Sequence, residues 1–407
     1  MIDSGLLSED PFEPGGALVP VLKEEPSRFD AGLDKFDAFL VGASRRGAAD
    51  ITIQSEARPR LKINNRQYFG TKRLLLRSEV DMLLGHLWRS TDAAGIINQG
   101  RALDFSYDVQ VERGKRQRYR VNAVGIMKDG APGLEITLRT LPFRTPTLDD
   151  VQFEEELRGY LHPSSGMIVI AGGTGHGKST TMAAITRFHL EDRDNARKVC
   201  DFQQPIEFTY SDILTEHSDS ASIIGQSEIG VGRNLPTFSD AVWAALRRGP
   251  SIINVGEARD VGSMKGCMQA CVTGHIVNTT THAGSIIEGL RRMVLEFPSE
   301  EQEARAFDLI SSLQLFVVQR LLRKADGSGL IAVREYLLFD DDIRDRFYDT
   351  EINGWPALVS NLMKEARTNP SIVARSTGET ARGLVEQGIL SMAEARRFIP
   401  RNMLQPF

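Results

Sequence analysis

The chain lacks the features that mark several classes of protein. It has three cysteines in 407 residues and no Cys-x-x-Cys pair, which excludes a disulfide framework and predicts no stable zinc site. Cys267 and Cys271 are four residues apart on a predicted helix, where burial is the expected role rather than metal binding. The apolar runs are too short to span a bilayer, and the acidic N-terminus is unlike an export signal. We therefore expect a cytoplasmic protein.

Positive charge and aromatic residues are also scarce. The net charge is −5, the pI is about 5.9 and aromatic residues make up 7% of the chain, so a protein that coats nucleic acid is not expected. One stretch, residues 58–77, holds seven arginines and lysines and no acidic residue. A solvated face is the favoured interpretation, and a phosphate or partner contact is the alternative. Direct DNA binding is thus unexpected but not excluded.

The first third of the chain predicts an arm and a small domain. Residues 1–32 carry four prolines and seven acidic residues, which is typical of a flexible arm. Residues 33–141 combine helical patterns with several alternating strands, which predicts an α+β domain with one helix layer on a small sheet. The stretch 142–150 has two prolines and no periodicity, and we interpret it as a linker.

Beyond residue 150 the pattern changes to alternating strands and helices. Short, continuous apolar runs such as "MIVIA" (167–171) are typical of buried parallel strands. Residues 151–340 therefore predict an α/β domain with a doubly wound, mainly parallel sheet. Residues 341–407 have helical patterns and predict a C-terminal extension.

A phosphate-binding loop follows the first of these strands. "GGTGHGKSTT" (172–181) fits the pattern G-x-x-x-x-G-K-[ST] between a strand and a helix, which predicts nucleotide binding. Lys178 is expected to neutralise phosphates and Ser179 to bind Mg²⁺, whereas His176 has the position of a solvent-exposed filler. The predicted nucleotide-binding residues are Gly172, Gly173, Thr174, Gly175, His176, Gly177, Lys178, Ser179 and Thr180.

Hydrolysis requires a group that positions water. Two residues, Glu257 and His282, are candidates because each follows one of the later predicted strands. Glu257 follows the apolar run 251–255, so it is expected at the carboxyl end of a buried strand, as catalytic base and second Mg²⁺ ligand. His275 and His282 flank the run 276–281, and we favour a functional role for His282.

Four ordered motifs resemble one family. "GGTGHGKSTT", "DFQQPIEF" (201–208), "LRRGPSIINVGEARD" (246–260) and "TGHIVNTTTHAG" (273–284) are similar to the Walker A, Asp, Walker B and His boxes of the PilT-like ATPases of type II and type IV secretion. The segment 226–260 is most similar to the group that includes DotB and TraJ, the ATPases of type IVB secretion and plasmid conjugation. This resemblance implies a RecA-like ATPase domain, a PAS-like N-terminal domain, and ATP and Mg²⁺ as ligands.

The resemblance also implies partners and further site residues. A ring hexamer is expected to work peripherally at the inner membrane, with a secretion or conjugation complex and a second secretion ATPase. Arginines of the N-terminal domain contact phosphates in such enzymes, and the matching positions are Arg118, Arg120 and Arg139. Glu207 matches an acidic residue of the Asp box. Where the family usually has acidic residues, this chain has Gln203 and Gln204, which predicts slow turnover or a role carried by Glu207 alone.

The leading hypothesis is an ATPase motor that energises conjugative plasmid transfer through a type IVB-like secretion system. A type IV pilus retraction or assembly ATPase is the first alternative. A DNA translocase, or a scaffold that binds ATP and hydrolyses it weakly, remains open.

Overall fold

The structure divides into two compact units. It is a computed structural model that describes residues 2–8, 17–29, 31–63, 66–112, 115–230 and 232–399. The first unit comprises residues 1–144 and 204–212, and the second comprises 145–203 and 213–407. Within the described part of the chain, no helix is both long and apolar enough to cross a membrane.

The described part of the first unit combines an antiparallel sheet with three α-helices. Its strands pair in the order β3-β2-β1-β6-β5-β4. The helices are α1 (Leu33–Arg45), α2 (Arg77–Trp88) and α3 (Ala93–Asn98), and the strands are β1 (Ala48–Gln54), β2 (Arg60–Ile63), β3 (Arg66–Phe69), β4 (Leu103–Glu112), β5 (Lys115–Lys128) and β6 (Ala131–Thr140). Buried side chains alternate with half-exposed ones along β4 and β6, as expected for a sheet with one face on the core.

The segment predicted as a flexible arm is packed on this unit. Val19 and Phe29 are fully buried and Val21 is nearly so, which makes the prediction for residues 1–32 wrong at these positions. The backbone N–H of Val19 donates to the carbonyl of Phe69 (2.9 Å), so the segment adds to the edge strand β3. Its apolar side chains join the core, which offsets the entropy of ordering. Residues 1, 9–16 and 30 of the predicted arm lie outside the described residues.

The second unit contains the predicted parallel sheet. Its strands are ordered β14-β13-β12-β7-β11-β10-β8-β9, with parallel pairing from β12 to β9 and antiparallel pairing among β12, β13 and β14. The elements after the linker are α4 (Glu155–Arg158), β7 (Gly166–Ala171), α5 (Lys178–Glu191), β8 (Lys198–Gln203), α6 (Ser211–Glu216), β9 (Ile223–Glu228), α7 (Phe238–Ala245), β10 (Ile252–Val255), α8 (Val261–Val272), β11 (Ile276–Thr281), α9 (Ile286–Leu295), α10 (Gln302–Ser312), β12 (Leu313–Arg323) and β13 (Leu330–Leu338). Strands β7, β10 and β11 are buried along their whole length, which explains the continuous apolar sequence of β7.

The C-terminal region completes this unit rather than standing apart from it. Its elements are α11 (Asp341–Tyr348), α12 (Trp355–Glu365), β14 (Ala374–Arg375), α13 (Thr377–Glu386) and α14 (Met392–Phe398). Phe347, Trp355 and Leu362 belong to the same apolar core as the strands β7 and β10. Strand β14 adds to the edge of the sheet beside β13. The described part of the predicted extension is therefore integral to the second unit.

Candidate functional site

The loop between β7 and α5 has the backbone that a phosphate cradle requires. Gly172, Gly175 and Gly177 have φ angles of 155°, 78° and 77°. A Cβ at Gly172 would collide with the carbonyl oxygen of Gln319, so the close approach of loop and strand β12 needs glycine there. Positive φ is accessible to glycine at little cost, and these turns bring the loop to the N-terminus of α5, where N–H groups favour anions.

Lys178 occupies the first position of α5, and its ammonium group lies over the loop. Its Nζ donates to the carbonyls of Gly172 (2.9 Å) and Gly173 (3.1 Å). The loop therefore holds the cation at the place where the pattern predicts phosphates. Ser179 and Thr180 follow on the first turn and are half-buried, and Thr174 is exposed.

Glu257 and His282 meet beside this lysine. The Nε2 atom of His282 is 3.4 Å from Oε1 of Glu257, and its Nδ1 is 3.5 Å from Nζ of Lys178. Arg292 donates to the backbone carbonyl of His282 (3.0 Å), and Arg259 lies 4.0 Å from the other oxygen of Glu257. Lys178, Glu257 and His282 come from different elements. They meet because the carboxyl ends of β7, β10 and β11 share one edge of the sheet. A carboxylate, an imidazole and an ammonium in contact can bind phosphate and orient water.

The other histidine of this segment is not part of the group. His275 precedes β11, and its Nδ1 lies 3.0 Å from the carbonyl of Ala270 and 3.2 Å from Oγ1 of Thr273. It therefore sits at the amino end of the strand whose carboxyl end carries His282.

His176 is not the solvent-exposed filler that its place in the loop predicts. Its Nδ1 accepts a hydrogen bond from the backbone N–H of Leu321 (3.1 Å), and its carbonyl accepts one from Nε2 of Gln319 (2.7 Å). Burial, with Arg320 and Lys178 nearby, lowers the pKa of His176, which favours the neutral ring that can accept this bond. His176 thus ties the loop to strand β12.

Sequence reasoning missed the side chain at the centre of this attachment. Gln319 is 3% exposed, and its Oε1 accepts from Oγ1 of Thr181 and from Nε of Arg334, both at 2.8 Å. Arg334 is fully buried and lies 3.3 Å from Glu154, and desolvation lowers its pKa. The one available signal was a polar residue inside the apolar run "LFVVQRLLR".

The arginines implied by the resemblance lie in the first unit, where each has a protein partner. Arg120 pairs with Asp104 (2.8 Å) and lies 3.8 Å from Glu207, and the hydrogen bond to Asp104 raises its pKa. Arg139 donates to Asp50 (2.8 Å). Arg120 and Arg139 are directly opposite each other in β5 and β6, so two like charges share one face of the sheet.

Arg118 and Glu207 are placed by the excursion of residues 204–212 into the first unit. Arg118 is 7% exposed, and its Nη2 donates to the carbonyl of Ile206 (2.7 Å). Within the first unit, Oε1 of Glu207 lies 3.8 Å from Nη1 of Arg120. Arg118 therefore anchors this segment, whereas Arg120 and Arg139 are more accessible.

The donors near the loop fit a magnesium ion. Ser179 and Glu257 supply hydroxyl and carboxylate oxygens, the hard ligands that Mg²⁺ prefers. In the described part of the chain, no group of three or more His, Cys, Asp or Glu residues could hold a metal by itself. Mg²⁺ usually keeps waters and substrate phosphates among its ligands, so two protein oxygens are a reasonable set.

Comparison with known proteins gives consistent matches over most of the chain. The profile of the "Type II/IV secretion system protein" family matches residues 38–371. The type IV pilus retraction ATPase PilT of Pseudomonas aeruginosa is 27% identical over 367 residues, which are 89% of this chain and 98% of that protein.

Solved structures give the same result. The ATPase DotB of Legionella pneumophila has a TM-score of 0.81 and 33% identity, covering 94% of this chain and 99% of its own. The pilus retraction motor PilT with bound ADP has a TM-score of 0.75 and 26% identity, covering 91% and 98%. The predicted α/β fold, with an N-terminal domain before the ATPase domain, is confirmed by these structures.

Proposed function

The chain belongs to the type II/IV secretion system protein family and is an ATP hydrolase, and from this premise we propose that it is a hexameric motor for conjugative plasmid transfer through a type IVB-like system. The observation that carries the proposal is the similarity to DotB, with 33% identity over 99% of that chain. The segment 226–260, which resembles the DotB and TraJ group, supports the same assignment.

The loop residues bind the triphosphate in this proposal. Lys178 exchanges its contacts with the carbonyls of Gly172 and Gly173 for phosphate oxygens, which offer stronger, charge-assisted bonds. Mg²⁺, held by Ser179 and Glu257, would neutralise charge on the phosphates.

Glu257 orients the attacking water and accepts its proton. His282 stands between Glu257 and Lys178, at 3.4 Å and 3.5 Å, so it fixes the carboxylate and reports on the presence of phosphate at the lysine. Gln319 and His176 hold the loop against β12 during the cycle.

In the proposed ring, Arg120 and Arg139 of a subunit's N-terminal domain complete the nucleotide site. A guanidinium fork matches phosphate oxygens, and Asp104 and Asp50 keep both side chains extended on the sheet face. Exchange of these carboxylates for phosphate would couple domain movement to the nucleotide, which is the step that a motor needs. The partners we propose are an inner-membrane secretion or conjugation complex and a second secretion ATPase.

A pilus retraction motor is the second candidate. It is favoured by the match to PilT of Pseudomonas aeruginosa, which spans 98% of that protein. Both candidates need the same hydrolysis site, so they differ only in the machine that is driven.

A transfer assay separates the two functions. A strain lacking the gene is complemented with the wild type, with Lys178→Ala, or with Lys364→Ala, an exposed lysine on α12 that serves as a matched control. We expect Lys178→Ala to abolish plasmid mating while twitching motility is unchanged, and Lys364→Ala to restore mating. Normal mating with lost motility would favour the pilus motor and contradict the conjugation proposal.

A further inference from the structure

The segment "DFQQPIEF" (201–208), which resembles the Asp box, departs from the family pattern at Gln203, and the structure offers a reason. The resemblance implies an acidic residue where this chain has Gln203, at the carboxyl end of β8. Two residues earlier on the same strand is Asp201, which is 1% exposed. Residues i and i+2 of a strand point to the same face, so the carboxylate and the amide lie side by side.

Both oxygens of Asp201 accept hydrogen bonds from glutamine amides. Nε2 of Gln203 donates to Oδ1, and Nε2 of Gln226 on β9 donates to Oδ2, both at 2.7 Å. A buried carboxylate needs such donors, because desolvation without them is costly. A glutamate at position 203 would place a second carboxylate at this distance, and one of the two would have to take a proton or move away. Asp201 and Gln203 are thus a matched pair.

The other end of the Gln203 amide points to the catalytic edge. A Cβ built on Gly256 would lie 2.8 Å from Oε1 of Gln203, so the oxygen occupies the space left by the missing side chain. Gly256 directly precedes Glu257, and it is fixed by its N–H to the carbonyl of Phe202 (2.8 Å) and by the hydroxyl of Thr280 on its own carbonyl (2.6 Å). The bond to Asp201 decides which end of the amide is turned toward this edge.

These side chains lie on the face of the sheet that carries α5. Asp201 is in register with Asn254 of β10, whose Nδ2 donates to Oγ1 of Thr186 on α5 (2.8 Å). Helix α5 begins at Lys178 in the phosphate loop. Asp201 and Gln203 are therefore on the same side of the sheet as the helix that carries the phosphate site.

We propose that Asp201 is a positioning residue for ATP hydrolysis: it fixes the Gln203 amide so that Oε1 is a directed neutral acceptor beside Gly256, the residue that precedes Glu257. The carboxylate that the resemblance implies at position 203 lies two residues earlier in this chain, at Asp201. It acts on the site only by orienting the Gln203 amide. The proposal rests on ATP hydrolysis alone and does not depend on which secretion or pilus machine is driven.

The pairing of Asp201 with Gln203 predicts that Gln203→Glu changes kcat in opposite directions in the wild-type and Asp201→Asn backgrounds of a double-mutant cycle. Asp201→Asn leaves one acceptor oxygen for two amide donors, so the Gln203 amide loses its fixed orientation, and we expect kcat to fall roughly tenfold with little change in KM for ATP. Gln203→Glu alone places two carboxylates together and is expected to lower kcat as well. In the Asp201→Asn background the same Gln203→Glu change should raise kcat, because the new amide can donate to the new carboxylate.

The cycle is measured as steady-state phosphate release, with binding of a fluorescent ATP analogue and thermal unfolding followed on each variant. Cys200→Ala is the matched control, because Cys200 is the preceding residue and packs in the core on the opposite face. Its stability should fall while its kcat stays within about twofold of the wild type. If Gln203→Glu has the same sign in both backgrounds, or if Asp201→Asn keeps full kcat, the proposal is overturned.

Folding of the Asp201 variant is not essential to the test. Gln203 is only partly buried, so Gln203→Leu is expected to fold and to lose kcat by about the same tenfold. Wild-type kcat in Gln203→Leu would also overturn the proposal. Loss of mating or motility has no bearing on either outcome, so this inference and the proposed function fail separately.

Discussion

The sheets of the two units hold polar side chains in opposite ways. In the second unit, the central strands β7, β10 and β11 are buried along their whole length, and buried polar residues of the same sheet such as Gln319 and Asp201 have specific partners. In the first unit, one face of an antiparallel sheet is half-exposed, and Arg120 and Arg139 form ion pairs there that water screens. A polar residue within the mainly parallel sheet therefore indicates a specific buried contact, whereas a polar residue on the half-exposed face of the antiparallel sheet needs no special explanation.

The largest effect is expected at the carboxyl edge of the parallel sheet. Glu257→Gln removes the group that we propose takes the proton from water, and we expect phosphate release to fall by about 10³-fold while nucleotide binding is kept. Glu296→Gln, an exposed glutamate of the same unit, is the control and should be fully active. Normal turnover in Glu257→Gln would remove this residue from the mechanism. Loss of a substantial wild-type turnover in Glu257→Gln, with nucleotide binding retained, would argue against the weakly hydrolysing scaffold.

A change inside the mainly parallel sheet of the second unit should strongly affect stability, here on β12 where it pairs with β13. Gln319→Leu leaves the buried Nε of Arg334 and the hydroxyl of Thr181 without their acceptor, so we expect the free energy of unfolding to fall by about 3 kcal/mol in urea denaturation. Gln67→Leu, on the exposed part of β3, is the matched change in the antiparallel sheet and should shift it by less than about 0.5 kcal/mol. Equal shifts would contradict the contrast between the sheets.

On the half-exposed face of the antiparallel sheet, a substitution should lower activity strongly while changing stability little. Arg120→Ala is expected to slow hydrolysis in the proposed ring by at least about tenfold, because the phosphate contact that we propose for this arginine is lost. Its ion pair with Asp104 is only partly buried, so the free energy of unfolding should change by less than about 1 kcal/mol. Arg101→Ala, an exposed arginine just before β4, serves as the control. Full activity of Arg120→Ala would place this arginine outside the site.

The smallest effect is expected at the cysteines, all of which lie in the second unit. Cys200, Cys267 and Cys271 are buried, and burial raises the pKa of Cys267 to about 12. Since the thiolate is the reactive form, native protein should react negligibly with a thiol reagent from pH 7 to 9, and the three thiols should react after denaturation. Rapid labelling of native protein would show that the parallel sheet opens more readily than its burial indicates.

Local sequence was sufficient for the residues that follow buried strands. Glu257 and His282 follow buried strands within two residues, and Lys178 follows β7 after the loop 172–177. Parallel strands bring their carboxyl ends together, so the sequence predicts the meeting of these three residues. Their roles remain predictions, as do those of Arg118, Arg120 and Arg139.

Residues that act through distant partners had no such signal. The bond from Gln319 to His176 joins positions 143 residues apart, and no local pattern reports it. The segment 17–29 was predicted as an arm from its prolines and acidic residues, but Val19, Val21 and Phe29 find a non-local apolar core that outweighs composition. Gln203 was visible only as a departure from the family pattern, and the contact of Gln226 with Asp201 needed the register of β8 and β9.

The excursion of residues 204–212 has a consequence for protein engineering. The chain crosses from one unit to the other three times, after residues 144, 203 and 212. Truncation at residue 144 would leave a second unit that still carries nine residues, 204–212, whose partners, such as Arg118 and Arg120, had been removed. A designer who wants either unit alone must replace this segment with a short bridge or transplant it, since a single cut yields two incomplete pieces.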